Sequence, residues 1–248
     1  MDFIYSFYSK ETSELKQMIN IYMYLVKNDF DEVKRNIIIY DKHKFIGSLA
    51  KRLFELCKIE YDHSKKFITK YVAIDKYSKL IRYPDCLLKK RFDFVDIVTL
   101  VNIMRIEFSL ERYKSLEFLE LLLTTSDYIY LSSATRYILP SIYSNVASYI
   151  ARKGDFSKAL KIADLGITYS ISNQSMHLLE TLYYYKSYFL FKLGNRKQAH
   201  IFALKSLSVL IAKHDVIKYS DYKEMIFSEM NFDIDNCDID NTMSIENK

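Results

Sequence analysis

Asn102 and Arg105 stand three residues apart, which sets both on one face of a helix. An arginine fork holds a carboxylate or a carbonyl, and an amide side chain both donates and accepts. The pair therefore suits recognition of a polar ligand rather than bond breaking. The same spacing also fits a surface ion pair of Arg105 with Glu107 or an aspartate, beside an incidental Asn102. Asn145 lies in the middle of a helical stretch, where asparagine has poor propensity. It is either a ligand contact or a solvated or inter-helix polar residue. Tyr183, Tyr184, Tyr185 and Tyr188 crowd one segment. Facing a groove, they would form an apolar wall with polar tips. As repeat core they would only pack, the reading that suits Tyr183 and Tyr188, leaving Tyr184 and Tyr185 as wall candidates. Lys192 falls at the rim, placed to meet a carboxylate or only water. Catalytic chemistry has no such foothold. His43, His63, His177, His200 and His214 show no metal-type pairing, and Cys57, Cys86 and Cys237 have no paired spacing. Four glycines leave no material for a phosphate loop. The run 233–241 resembles a calcium loop but lacks its central glycine and final glutamate. No metal, no cofactor and no enzymatic activity are expected.

The elements that carry these residues read as helices nearly throughout. Of 248 residues, half are hydrophobic, with 22 Tyr, 16 Phe, only 4 Gly and 2 Pro. That is enough apolar material for a core and too few turn residues for an all-β fold. No apolar run approaches the ~20 residues of a membrane span, residues 1–10 lack a signal-peptide core, and three scattered cysteines fit a reducing cytoplasm. Five acids against one lysine put the last 18 residues at −4, leaving +9 on residues 1–230 out of a net +5. A body of +9 attracts anions at long range, or is simply a solvated surface.

Leu15, Met18, Ile19, Tyr22 and Leu25 recur at helical spacing, Asp29 is placed to cap a second helix, and Asp41 to open a third. Residues 65–83 read as helical up to Pro84. Two further helices are expected over 93–108 and 110–123, and Pro140 either kinks its helix or sits in the first turn. The segment YIARKGDFSKA (149–159) aligns with FLFKLGNRKQA (189–199) at an offset of 40. Gly154 and Gly194 would end a first helix, Asp155 and Asn195 cap a second, and Ala159 and Ala199 let the pair approach closely. VKNDFDEV (26–33) resembles RKGDFSKA (152–159), so the first hairpin is of the same kind. The pattern resembles the tetratricopeptide repeat, without its Trp and trailing Pro, and predicts an all-α, right-handed superhelix of antiparallel hairpins. The expected organisation is an N-terminal extension over 1–14, a repeat domain over 15–230 and an acidic flexible tail over 231–248.

Three stretches carry a more specific resemblance: the two hairpins of 18–57, FDFVDIVTLVNIMR (92–105) with its Asn-x-x-Arg, and SNVASYIARKG (144–154) followed by the hairpin at 189–194. Together they resemble the C-terminal regulatory domain of Rgg/MutR-type transcriptional regulators, within the wider group of Gram-positive regulators that bind short peptide pheromones. The resemblance implies a sensor domain binding a short hydrophobic signalling peptide. It makes Asn102 and Arg105 peptide contacts, Asn145 a peptide-backbone clamp, Tyr184 and Tyr185 groove wall and Lys192 a contact for a peptide C-terminus. It also implies a homodimer, or a heterodimer with a related regulator. Such regulators begin with a helix-turn-helix domain, for which residues 1–14 are too short, so DNA binding is not expected from this chain alone. The alternative function is that of an adaptor, without a helix-turn-helix, that dimerises with and modulates a full-length regulator.

Overall fold

The computed structural model describes residues 13–45, 47–89, 91–125 and 133–234, with backbone alone for 133–137. Among the described residues there are eleven α-helices: α1 (Ser13–Val26), α2 (Phe30–Tyr40), α3 (Ser48–Ser64), α4 (Lys70–Ile81), α5 (Phe94–Phe108), α6 (Lys114–Thr124), α7 (Ser133–Arg152), α8 (Phe156–Ser172), α9 (Leu179–Lys192), α10 (Arg196–Ala212) and α11 (Val216–Met230). A 3-10 turn (Asp85–Leu88) follows Pro84. Residues 1–12 of the expected extension and 235–248 of the acidic tail, with Cys237 and most of the calcium-like run, lie outside the described residues.

Local chemistry explains the hairpins. Gly154 and Gly194 take φ of +89° and +85°, a left-handed conformation that ends α7 and α9. Asp155 and Asn195 then accept from the backbone N–H of Lys158 (2.9 Å) and Gln198 (3.3 Å), capping α8 and α10. The first hairpin uses the same joint, with Asn28 at φ +58° and Asp29 accepting from Glu32 N–H at 3.3 Å. A fourth copy joins α10 to α11: His214 takes φ +54° and Asp215 caps at 3.2 Å. It lacks the glycine or asparagine that marks the other three joints in sequence. Each turn is so short that the helices it joins must run antiparallel.

The described chain divides into two compact units, residues 13–118 with 133–137, and 119–125 with 138–234. In the first, α1 packs on α2 and α3, and α3 on α4 and α5. Met18, Leu53, Phe54, Cys57, Tyr77 and Leu100 are buried at its centre. In the second, α9 packs between α8 and α10, and α11 closes on α9 and α10. Ala159, Ala163, Ala199 and Ala203 are fully buried where their helices cross, as small residues at a close approach should be. Gly166 serves the same end more strongly: a Cβ there would stand 2.7 Å from Tyr143 Cβ.

Some boundaries differ from expectation. The third helix starts at Ser48, not Asp41. Asp41 closes α2 and binds Lys58 at 2.7 Å, and Gly47, extended, donates its N–H to Glu14 at 3.3 Å. α6 starts at Lys114 rather than Leu110, because Glu111 turns the chain at φ +56°. Pro140 sits inside α7, past its first turn. Beyond α11, Phe232 and Ile234 are buried in the second unit's core, so packing continues past residue 230.

Candidate functional site

In the first unit, Asn102 and Arg105 join a network spanning α3, α4 and α5. Tyr77 donates its hydroxyl to Glu60, the Asn102 side chain hydrogen-bonds the Tyr77 hydroxyl, and the Arg105 guanidinium stands 3.9 Å from Glu60. Asn102 is buried while the Arg105 side chain is 54% exposed. Burial, then Glu60, pushes the Tyr77 phenol well above its ordinary value, which keeps it a donor. The arrangement aims an exposed cation outward from a carboxylate already engaged elsewhere. Arg105 does not pair with Glu107. Residues two apart on a helix do not face each other, and Glu107 is buried against Ser115 (N–H 3.0 Å, hydroxyl 2.6 Å) and Tyr83 (2.8 Å). A small apolar cavity nearby is lined by Leu15, Ile19, Tyr22, Leu53, Phe94 and Val95, among others.

In the second unit, polar side chains tie α7 to the connection that leads into α9, and α9 to α11. Ser141 meets His177 at 3.0 Å, Thr181 meets Tyr222 at 2.8 Å, and Tyr184 donates to Glu229. Asn145, one turn from Ser141, donates its amide to the Ser141 carbonyl at 2.7 Å. Tyr185 is one turn from Thr181, half-buried and stacked on Phe189 at 5.7 Å. Ser141, Asn145, Thr181, Tyr185 and Tyr222 thus form a polar, aromatic strip along successive helices. At its base lies Glu180, 1% exposed, held by Lys213 and, at 3.7 Å, by Lys218. His177 is exposed, yet desolvation by the surrounding chain, then Lys213 and Lys218, hold its imidazole below its ordinary pKa.

Tyr184 departs from its expected role. It is 3% exposed, packed edge-on to Tyr222 at 5.3 Å within the core of α9, α10 and α11. α9 is flanked on several sides, so more of its tyrosines face packing than a single-faced helix would allow. Tyr183 stacks on Phe202 at 6.0 Å. Lys192, exposed in the last turn of α9, lies 5.1 Å from the Tyr188 ring centroid. Asn102 and Arg105 belong to one unit, and Asn145, Tyr185 and Lys192 to the other. Sequence reasoning missed Glu60, Tyr77, His177, Thr181, Glu180 and Tyr222. Only Thr181 and Tyr185, a turn apart, left a trace in spacing. Among the described residues no group of three His, Cys, Asp or Glu could hold a metal ion, and no helix is long and apolar enough to cross a membrane.

Capped helical hairpins with buried small residues at their crossings define an all-α, tetratricopeptide-like repeat fold. Solved structures share it. The apo form of Bacillus thuringiensis PlcR superposes with a TM-score of 0.70 at 16% identity, over 90% of this chain and 80% of that one. PlcR in complex with the peptide PapR7 and DNA superposes at 0.66 and 15% identity, over 86% and 73%. No protein-family model matches the sequence, and no curated protein matches it.

Proposed function

We propose that the chain is a peptide-responsive regulatory domain of the Rgg-like kind, binding a short hydrophobic signalling peptide in the cytoplasm. The observation that carries this reading is the likeness in fold, over 86% of the chain, to a structure in which PlcR holds a peptide and DNA. Arg105 is the ligand-facing cation of the first unit, with Asn102, Tyr77 and Glu60 as the frame that aims it. Asn145 and Tyr185 are the contacts of the second, on the strip completed by Thr181 and Tyr222. Peptide binding shifts the population between helix arrangements, and that shift is the signal.

Isothermal titration of the purified chain with short hydrophobic peptides tests this. Arg105→Ala and Asn145→Ala are each expected to weaken binding by roughly tenfold, the equivalent of about 1.4 kcal/mol. Asn102→Ala is expected to do the same through loss of the frame. Wild-type affinity in all three variants removes the site assignment, and no binding of any peptide removes the function. A second reading, an adaptor that dimerises with a related regulator, draws on exposed apolar side chains of α11: Val216 (76%), Ile217 (78%) and Phe227 (55%). Light scattering that gives a concentration-independent monomer, alone and mixed with such a regulator, excludes it.

A further inference from the structure

We propose that the hairpin-tip edge of the second unit is a docking strip for the phosphate backbone of nucleic acid, without reading of sequence. The joints at Gly154 and Gly194 open at one end of this unit. Phe156, the first residue of α8, packs on Tyr188 (6.3 Å) and Phe189 (6.4 Å) in the last turns of α9. Phe232 reaches the same end, 5.8 Å from Phe191. Cations are laid over rings at this end, Tyr149 of α7 among them. The Arg152 guanidinium is 4.9 Å from the Tyr149 centroid, and the Lys192 ammonium is 5.1 Å from that of Tyr188. Arg196 lies 5.3 Å from Phe191 and 5.6 Å from Phe232, with Lys197 exposed beside it.

Among the described residues no carboxylate comes within ion-pair distance of Arg152, Lys192, Arg196 or Lys197. Elsewhere Arg52, Lys58, Lys89 and Lys213 are each held by an acid. The carboxylate in the first joint, Asp155, is turned onto the Lys158 backbone N–H as a cap. A cation held over a ring face keeps its position while its hydrogens stay available to an anion. Arg152 and Lys192 occupy the same repeat position, 40 residues apart, while Arg196 and Lys197 stand where the other joint has Phe156 and Ser157, which concentrates charge at the second joint. A phosphodiester chain carries a charge on every residue and so meets clustered unpaired cations in any register, whereas an acidic polypeptide must place its carboxylates to match. The contact proposed is of the four cations with phosphates alone, which positions the polymer without reading its bases. This inference is independent of the peptide reading.

The test is fluorescence anisotropy of the full chain with a labelled 20-base-pair duplex of random sequence, titrated from 50 to 200 mM salt. Four phosphate contacts predict a log–log salt slope of about −3.6, or roughly 150-fold weaker binding across that range. The combined variant R152Q, K192Q, R196Q and K197Q is expected to abolish the slope, and each single change to reduce it by about one. A control variant with the exposed lysines Lys34, Lys51, Lys66 and Lys70 changed to Gln should bind as wild type. Circular dichroism verifies that both variants fold. The proposal is overturned by absence of binding at 50 mM salt, by wild-type binding in the combined variant, or by equal loss in the control. It is also overturned if polyglutamate displaces the duplex at equal charge concentration, which would assign the strip to an acidic protein.

Discussion

Gly166 is the sharpest test of the packing in the second unit. It sits inside α8, where alanine would ordinarily be better by about 1 kcal/mol. Here an added Cβ would meet Tyr143 Cβ at 2.7 Å, and both Tyr143 Cγ and Leu182 Cδ2 at 3.0 Å. Carbon atoms pack best at about 3.5–4.0 Å, so the shortfall against Tyr143 is about 1 Å. Leu182 can rotate away at its flexible end. Tyr143 Cβ is bonded to the backbone of α7, so relief there requires the helices to separate. Overpacking of this kind costs about 1–3 kcal/mol. Set against the gain in helix propensity, Gly166→Ala should destabilise the fold by about 1 kcal/mol, lowering Tm by roughly 2–4 °C. Adding Leu182→Ala should not restore it, because the Tyr143 contact remains. Thermal and urea unfolding followed by circular dichroism measure both variants. A Gly166→Ala protein as stable as wild type, or more so, would refute the close crossing.

Three further outcomes are expected. Tyr184→Phe should cost about 1 kcal/mol by removing the hydroxyl from Glu229, and Tyr184→Ala about 3–5 kcal/mol by emptying a core position, both read from urea unfolding. A Tyr184→Ala protein of unchanged stability would return this ring to the surface. His177, though exposed, should titrate below a free imidazole in an NMR pH series, because desolvation by its surroundings and the charges of Lys213 and Lys218 disfavour its proton. With the folded pKa depressed, the unfolded chain takes up the proton first. Stability should therefore fall as pH drops below about 6.5, and His177→Gln should flatten that dependence. Cys57 and Cys86 are both buried, burial raising the Cys86 thiol to about 11 and Cys57 further. Both should resist thiol reagents in the native protein and react on unfolding, as peptide mapping by mass spectrometry would show.

The hairpin joints were legible because their chemistry is local. A left-handed residue followed by Asp or Asn ends one helix and caps the next within a few residues, and three of the four joints announce themselves so. The fourth hides because His214 occupies the position that glycine or asparagine marks elsewhere. The start of α3 was misplaced for a related reason. Asp41 has the type of a cap, but its carboxylate is taken by Lys58, 17 residues away.

The candidate site was legible only as residue types. Asn102 and Arg105 can be placed on one helical face from their spacing. Their partner Glu60 lies more than 40 residues away and is brought to them by the packing of α3 against α5. The four tyrosines of α9 read alike as a string. What separates the buried Tyr184 from the half-buried Tyr185 is the seat of α11 over one side of that helix. The buried Glu180 gives no sign of itself until Lys213 and Lys218 are folded over it. The sequence by itself determined the helices, their joints and the small residues at their crossings, since those follow from backbone hydrogen bonding and side-chain volume within a turn or two. Only the tertiary structure decided which cation has a partner, which aromatic ring is wall or core, and where the chain divides, because burial and charge pairing are properties of segments distant in the chain.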